Sequence, residues 1–300
     1  SFSGCLQLGD VGLKALGEAL GSAQKLTATR LKFRECPQLG DAAVKALAEG
    51  LGVAPNLSDV SLTFFACPQL GDASVEALGE ALGVAPSLTK ANLAFLLSTT
   101  LGDAGMAALG QGLGAARSLA TLDLKFQGCS RFGDAGMKAL GQGLKASGSL
   151  VDVHLIFEWC NKLGNAGVKA LGQGIGAAHC LTTLHLRFFE CWNLGHTWVN
   201  AFGEELRACE SLASVHLEFQ GNQARLARPL DFVQFADTCR RRALLRLAAE
   251  IAALGFGCYG SILRLVCVPP GPEVRRFFPG VALLSTKLSK VLLAKDGLSL

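Results

Sequence analysis

Residues 119–136 read Leu-Ala-Thr-Leu-Asp-Leu-Lys-Phe-Gln-Gly-Cys-Ser-Arg-Phe-Gly-Asp-Ala-Gly. Leu122, Leu124 and Phe126 alternate with Thr121, Asp123, Lys125 and Gln127, the period of two that marks a short strand with one apolar face. The same text recurs on both sides. Phe2, Phe33, Phe64, Phe95, Phe126, Phe157, Phe188 and Phe219 are spaced 31 residues apart without a slip, and each but the first has a leucine two residues before it. One strand-turn-helix unit is therefore stacked about seven times, which makes the chain a solenoid.

Beyond each strand comes a cysteine turn and then Leu-Gly-Asp, at Leu8, Leu39, Leu70 and Leu101, with variants at Phe132, Leu163 and Leu194. Asp10, Asp41, Asp72, Asp103 and Asp134 stand where a helix N-cap is expected, with Asn165 and His196 in the same place further on. Leu13, Leu16 and Leu20, like Met106, Leu109 and Leu113, then recur at helical spacing. Gly21, Gly52, Gly83 and Gly114 read as helix ends, and Gly110, Gly112 and Gly114 read as helix punctuation rather than a phosphate loop.

This pattern, L-x-x-L-x-L followed by L-G-D-x-G and an amphipathic helix, resembles the leucine-rich repeat of the ribonuclease-inhibitor class. The resemblance covers residues 1 to about 222 and carries about three extra residues between the strand leucine and the Leu-Gly-Asp. It implies an α/β, right-handed solenoid with a parallel sheet on the concave face and helices on the convex face. Its relatives include inhibitor scaffolds, innate-immune sensor ectodomains and Ran GTPase-activating proteins, so a small-GTPase regulator is one reading of function.

The repeat fails after residue 222, giving a solenoid over 1–222 and a basic segment over 223–300. Residues 225–300 hold 12 Lys/Arg against 5 Asp/Glu, while the chain as a whole carries +4. Asp231 to Leu254 reads as a helix bearing Arg240, Arg241 and Arg242, and Ser261 to Val268 as a strand. Val281 to Leu292 has helical spacing with Lys287 and Lys290 on it. A solenoid end exposes core, so this segment is expected to cap it. Alternatively it docks on an acidic partner or a membrane-associated complex, making the chain a structural subunit. The charge is too weakly basic to suggest nucleic acid, and the longest charge-free run, Ile251 to Leu263, is too short to span a bilayer.

Six of the eleven cysteines, Cys5, Cys36, Cys67, Cys129, Cys160 and Cys191, share one repeat position, with Ser98 and Asn222 in the gaps. They read as structural thiols of an intracellular, reducing compartment, a disulfide framework being the alternative. Because Phe2 falls at a strand position, the sequence is expected to start in mid-repeat.

Three columns of outward residues build the concave face. The first runs Arg30, Ser61, Asn92, Asp123, His154, His185, His216; the second Lys32, Thr63, Ala94, Lys125, Ile156, Arg187, Glu218; the third Arg34, Phe65, Leu96, Gln127, Glu158, Phe189, Gln220. The histidine row suggests either a metal site, for which a row is an awkward shape, or a polar, pH-responsive stripe facing a partner. Trp159, Trp192 and Trp198 suit an interface or the array's end. Gly255, Gly257 and Gly260 match a dinucleotide fingerprint but follow a helix and precede a strand, the reverse of its order. With no nucleophile-base pair, no metal set, no cofactor motif and no evident small-molecule substrate, the sequence reads as a non-catalytic scaffold. Its partner is a protein, held by Asp123, Lys125, His154, Glu158, His185, Arg187, Phe189, His216 and Glu218.

Overall fold

A computed structural model describes residues 1–5, 8–195, 198–206, 209, 211–220 and 261–266. The strands are β1 (Phe2–Ser3), β2 (Ala28–Arg34), β3 (Asp59–Phe65), β4 (Lys90–Leu96), β5 (Thr121–Gln127), β6 (Asp152–Glu158), β7 (Thr183–Phe189), β8 (Ser214–Gln220) and β9 (Ser261–Val266). Between them run α1 (Asp10–Ser22), α2 (Asp41–Val53), α3 (Asp72–Val84), α4 (Asp103–Ala115), α5 (Asp134–Ala146), α6 (Asn165–Gly176) and α7 (Trp198–Leu206). β1 to β8 pair in chain order and in parallel, and β9 closes the row antiparallel to β8. The molecule is a leucine-rich-repeat solenoid of 31-residue units. The strand expected at Ser261–Val268 is present as β9; Arg240, Arg241, Arg242, Lys287 and Lys290 lie outside the described residues.

The register is constant: Phe2 pairs Phe33, Phe33 pairs Phe64, and so on to Phe219. Consecutive rings from Phe2 to Phe188 stack 5.3–5.9 Å apart, and those from Phe33 to Phe188 are fully buried. Each buried ring supplies roughly 1.5–3 kcal/mol from area alone, so the column is the spine of the core. Phe132, which replaces the leucine of other repeats, leans into this column between Phe126 and Phe157. Trp198 closes it, edge-on to Phe188 and Phe202 and fully buried. That tryptophan belongs to the core, whereas Trp159 and Trp192 are exposed.

The acids after the turn do not cap their own helices. Glycine occupies the N-cap, and the acid is the first helical residue. Asp41 Oδ1 instead accepts the N–H groups of Gly71 at 2.7 Å and Ser74 at 3.2 Å, the N-cap and third residue of the following helix. Asp103 does the same for Gly133 and Gly136 at 2.8 and 2.9 Å, and Asn165 reaches Gly195 at 2.9 Å. One carboxylate in the repeat before thus satisfies two of the N–H groups that a helix start leaves open.

The helical glycines mark the last turns of the helices, as expected, and several are also spacers. Gly110, Gly112 and Gly114 all lie inside α4, and the helices run one residue past Gly21, Gly52, Gly83 and Gly114. A Cβ on Gly112 would fall 2.0 Å from the carbonyl oxygen of Gly79, and one on Gly143 2.1 Å from that of Gly110. Neighbouring helix backbones therefore touch at these glycines. Strands sit ~4.8 Å apart.

The cysteine column lies under the turns. Cys67, Cys129, Cys160 and Cys191 are fully buried and donate to the phenylalanine carbonyls of the preceding repeat at 3.5–3.9 Å. Burial pushes the Cys129 thiol up to about 12, which keeps it protonated and unreactive. Ser98, in the same position, is buried with no partner for its hydroxyl.

Candidate functional site

The face of the sheet turned away from the helices carries the three outward columns, held in register by the ladder that pairs Asp123 with His154, His154 with His185 and His185 with His216. The second column likewise sets Lys125 beside Ile156, Arg187 and Glu218, and the third sets Glu158 beside Phe189. Every one of the nine proposed contact residues thus lies on adjacent strands β5 to β8.

Their side chains are already engaged with one another. Glu158 is 7% exposed, and its Oε1 receives Lys125 Nζ at 3.3 Å and Arg187 Nη2 at 3.9 Å. Arg187 Nε also lies 3.7 Å from Glu218 Oε2, and its guanidinium sits over the Phe189 ring at 5.4 Å. Burying a carboxylate costs several kcal/mol unless cations compensate it, so Glu158 holds both basic side chains in place. The carboxylate at the centre of the network is buried, while Lys125 and Arg187 reach it from partly exposed positions.

The imidazoles form a ladder. His154 and His185 stack at 4.3 Å and His185 and His216 at 4.7 Å. Carboxylates hold the two ends: His154 Nε2 lies 3.2 Å from Asp152 Oδ1, and His216 Nε2 lies 2.5 Å from Glu218 Oε1. Burial, reinforced by the two flanking imidazoles, lowers the pKa of His185. Asp123 receives Asn92 Nδ2 at 3.0 Å, and burial raises its pKa. Stacked rings aim their nitrogens side by side rather than at one point, and among the described residues no cluster of His, Cys, Asp and Glu could hold a metal ion.

Sequence reasoning missed Asp152 and Glu190, and it placed Asn92 in the first column without its bond to Asp123. Asp152 and His154 stand two apart on one strand and so share a face, a signal that alternation alone could have supplied. Glu190 accepts from Trp159 Nε1 at 3.2 Å across adjacent repeats. Both residues follow a strand with positive φ, 51° and 55°, as do Glu35, Ala66 and Leu97. In this left-handed geometry each N–H reaches the next strand's last carbonyl, Trp159 to Phe189 and Leu97 to Gln127 for example. The Leu97 and Trp159 side chains are then 42% and 41% exposed. Non-glycine residues adopt this backbone at a cost of about 1–2 kcal/mol.

No family model matches the sequence, and no curated protein matches it. Among solved structures, one titled "Leiomodin-1 Actin-Binding Site 2 (ABS2)" is similar at 12% identity, over 57% of this chain and 76% of its own, with a TM-score of 0.32. A yeast Rad7 and Elc1 complex is similar at 16% identity, over 72% of this chain and 65% of that one, with a TM-score of 0.24. Superpositions this loose carry no argument, and the fold assignment rests on the repeat itself. Among the described residues no helix is long and apolar enough to cross a membrane.

Proposed function

We propose that this protein is a non-catalytic interaction scaffold of the ribonuclease-inhibitor-like leucine-rich-repeat class that holds a partner protein against the open face of its sheet, from Asp123 to Glu218. The observation that carries this reading is the pre-engaged network of Lys125, Glu158, Arg187 and Glu218 beside the imidazole ladder. A partner landing there meets side chains whose rotamers are already fixed. Little conformational entropy is then lost, roughly 0.5–1.5 kcal/mol being saved for each side chain that needs no further ordering. Buried free thiols in the cysteine column are compatible with a reducing compartment.

The test is affinity purification from native extract with the full chain and with a His154→Ala, His185→Ala, Arg187→Ala variant. Recovery of a partner by the first and its loss by the second, with thermal unfolding of the variant followed separately, supports the assignment. Recovery of the same partner by both removes this face as the binding site.

A further inference from the structure

We infer that the open face is self-complementary and that the partner it fits is a second copy of this chain. The inference rests on the reading of that face as an interaction surface and adds the identity of what covers it.

The face is electrically divided. On β2 to β4 and the residues that follow them, Arg30, Lys32, Arg34 and Lys90 stand against Glu35 and Asp59, a net of +2. On β6 to β8, Arg187 stands against Asp152, Glu158, Glu190 and Glu218, a net of −3 with the imidazoles neutral. Between them β5 contributes Asp123 and Lys125 and is neutral. Seven strands, β2 to β8, are seven residues long, so β5 is also their geometric middle.

A two-fold axis lying along β5 and in the plane between two facing sheets sets β2 of one copy over β8 of the other, β3 over β7 and β4 over β6. Four of the facing pairs match in kind. Lys32 meets Glu218, and Lys90 meets Asp152. Phe65 meets Phe189, and the exposed Leu97 meets the exposed Trp159. An isologous interface makes each of these contacts twice. On the axis itself Lys125 faces Lys125 and Asp123 faces Asp123, but the first is neutralised within its chain by Glu158 and the second is hydrogen-bonded by Asn92. An axis between β4 and β5 instead sets Lys32 over Arg187 and Asp59 over Asp152. Charge therefore selects one register against its neighbour, which is the use that electrostatic complementarity has at interfaces.

The area is modest. At ~4.8 Å between strands and ~3.3 Å per residue the face measures roughly 30 Å by 20 Å. That is about 600 Å² for each copy, somewhat below the ~800 Å² per partner of a standard interface. A modest, charge-guided footprint gives a dimer that salt dissolves.

The experiment is sedimentation velocity of the full chain at about 50 µM in about 0.05 M and about 0.5 M salt, where the Debye length falls from roughly 14 Å to 4 Å. Two charge-reversed variants accompany it, Lys32→Glu with Lys90→Glu, and Asp152→Lys with Glu218→Lys. The expected result is a dimer at low salt, a monomer at high salt, monomers for each variant alone, and a heterodimer when the two variants are mixed. Lys32 and Lys90 are exposed, so the first variant folds even if the second does not, and its loss of dimer is decisive alone. A wild-type monomer at low salt, or a dimer that survives Lys32→Glu with Lys90→Glu, overturns the inference. If the wild type is monomeric and the affinity experiment still shows a partner lost on mutating His154, His185 and Arg187, self-pairing fails while the interaction face stands.

Discussion

Asp103 Oδ1 accepts the backbone N–H of Gly136, 33 residues later, at 2.9 Å. The bond joins one repeat to the third residue of the next helix, and the same oxygen also holds the N-cap Gly133. Loss of a helix cap costs about 0.5–2 kcal/mol. Asp103→Ala is expected to fall at the upper end of that range because two N–H groups lose their acceptor. Asp103→Asn should retain most of the stability, as Asn165 performs the same task for Gly195. Urea denaturation of the three proteins checks the order wild type, Asn, Ala.

Gly112→Ala tests the helix spacers. In an isolated helix the exchange would gain about 1 kcal/mol, but here the new methyl carbon would lie 2.0 Å from the Gly79 carbonyl oxygen. A net loss at or above the upper end of the roughly 1–3 kcal/mol of ordinary overpacking is expected. Gly148→Ala, with nothing within 4 Å of its added carbon, is the neutral control. Equal melting temperatures for the two would mean that the helices are not held by backbone contact.

Ser98 sits in the cysteine column with its buried hydroxyl unpartnered. A longer, softer thiol reaches the preceding carbonyl in the repeats on either side, at 3.9 Å from Cys67 and from Cys129. Ser98→Cys should therefore stabilise the chain by about 1 kcal/mol, within the ~1–3 kcal/mol that an unsatisfied buried polar group costs. Thermal unfolding under reducing conditions gives the answer.

The imidazole ladder makes stability depend on pH. In the folded protein the His185 pKa lies below its ordinary value of about 6.5, first through burial and then through His154 and His216. The unfolded chain therefore takes up the proton more readily. The contribution of His185 is complete above about pH 6.5 and is lost as pH falls through the lowered folded value. Asp152 and Glu218 oppose the shift, and Arg187 stands on the same strand face. Melting temperature should drop by a few degrees between about pH 7.5 and 5.5, and His185→Gln should flatten that slope.

The architecture was legible because its signal repeats: an apolar residue every second position, then every third or fourth, renewed every 31 residues, from Phe33 to Phe188. The columns of the open face followed at once, since equal spacing forces equal register. What could not be read was anything passing between repeats at an offset. Asp103 looks like a cap for its own helix, and only the stacking shows that it serves Gly133 and Gly136. Likewise Gly112 looks like punctuation until Gly79 is seen against it. The tryptophans divided for a similar reason: Trp198 fills the end of the phenylalanine column, while Trp159 is turned outward by a left-handed backbone that no spacing rule announces.

The aspartate relay also has a direction. Each acid precedes in the chain the helix that it caps, from Asp41 to Ser74 through to Asn165 and Gly195. As the polypeptide leaves the ribosome, a new helix emerges onto an acceptor already standing in the finished repeat before it. From α3 onward, growth from the amino end thus brings each helix start to an acceptor already in place, whereas growth from the other end would leave it waiting. The array is built to be assembled in the order in which it is synthesised.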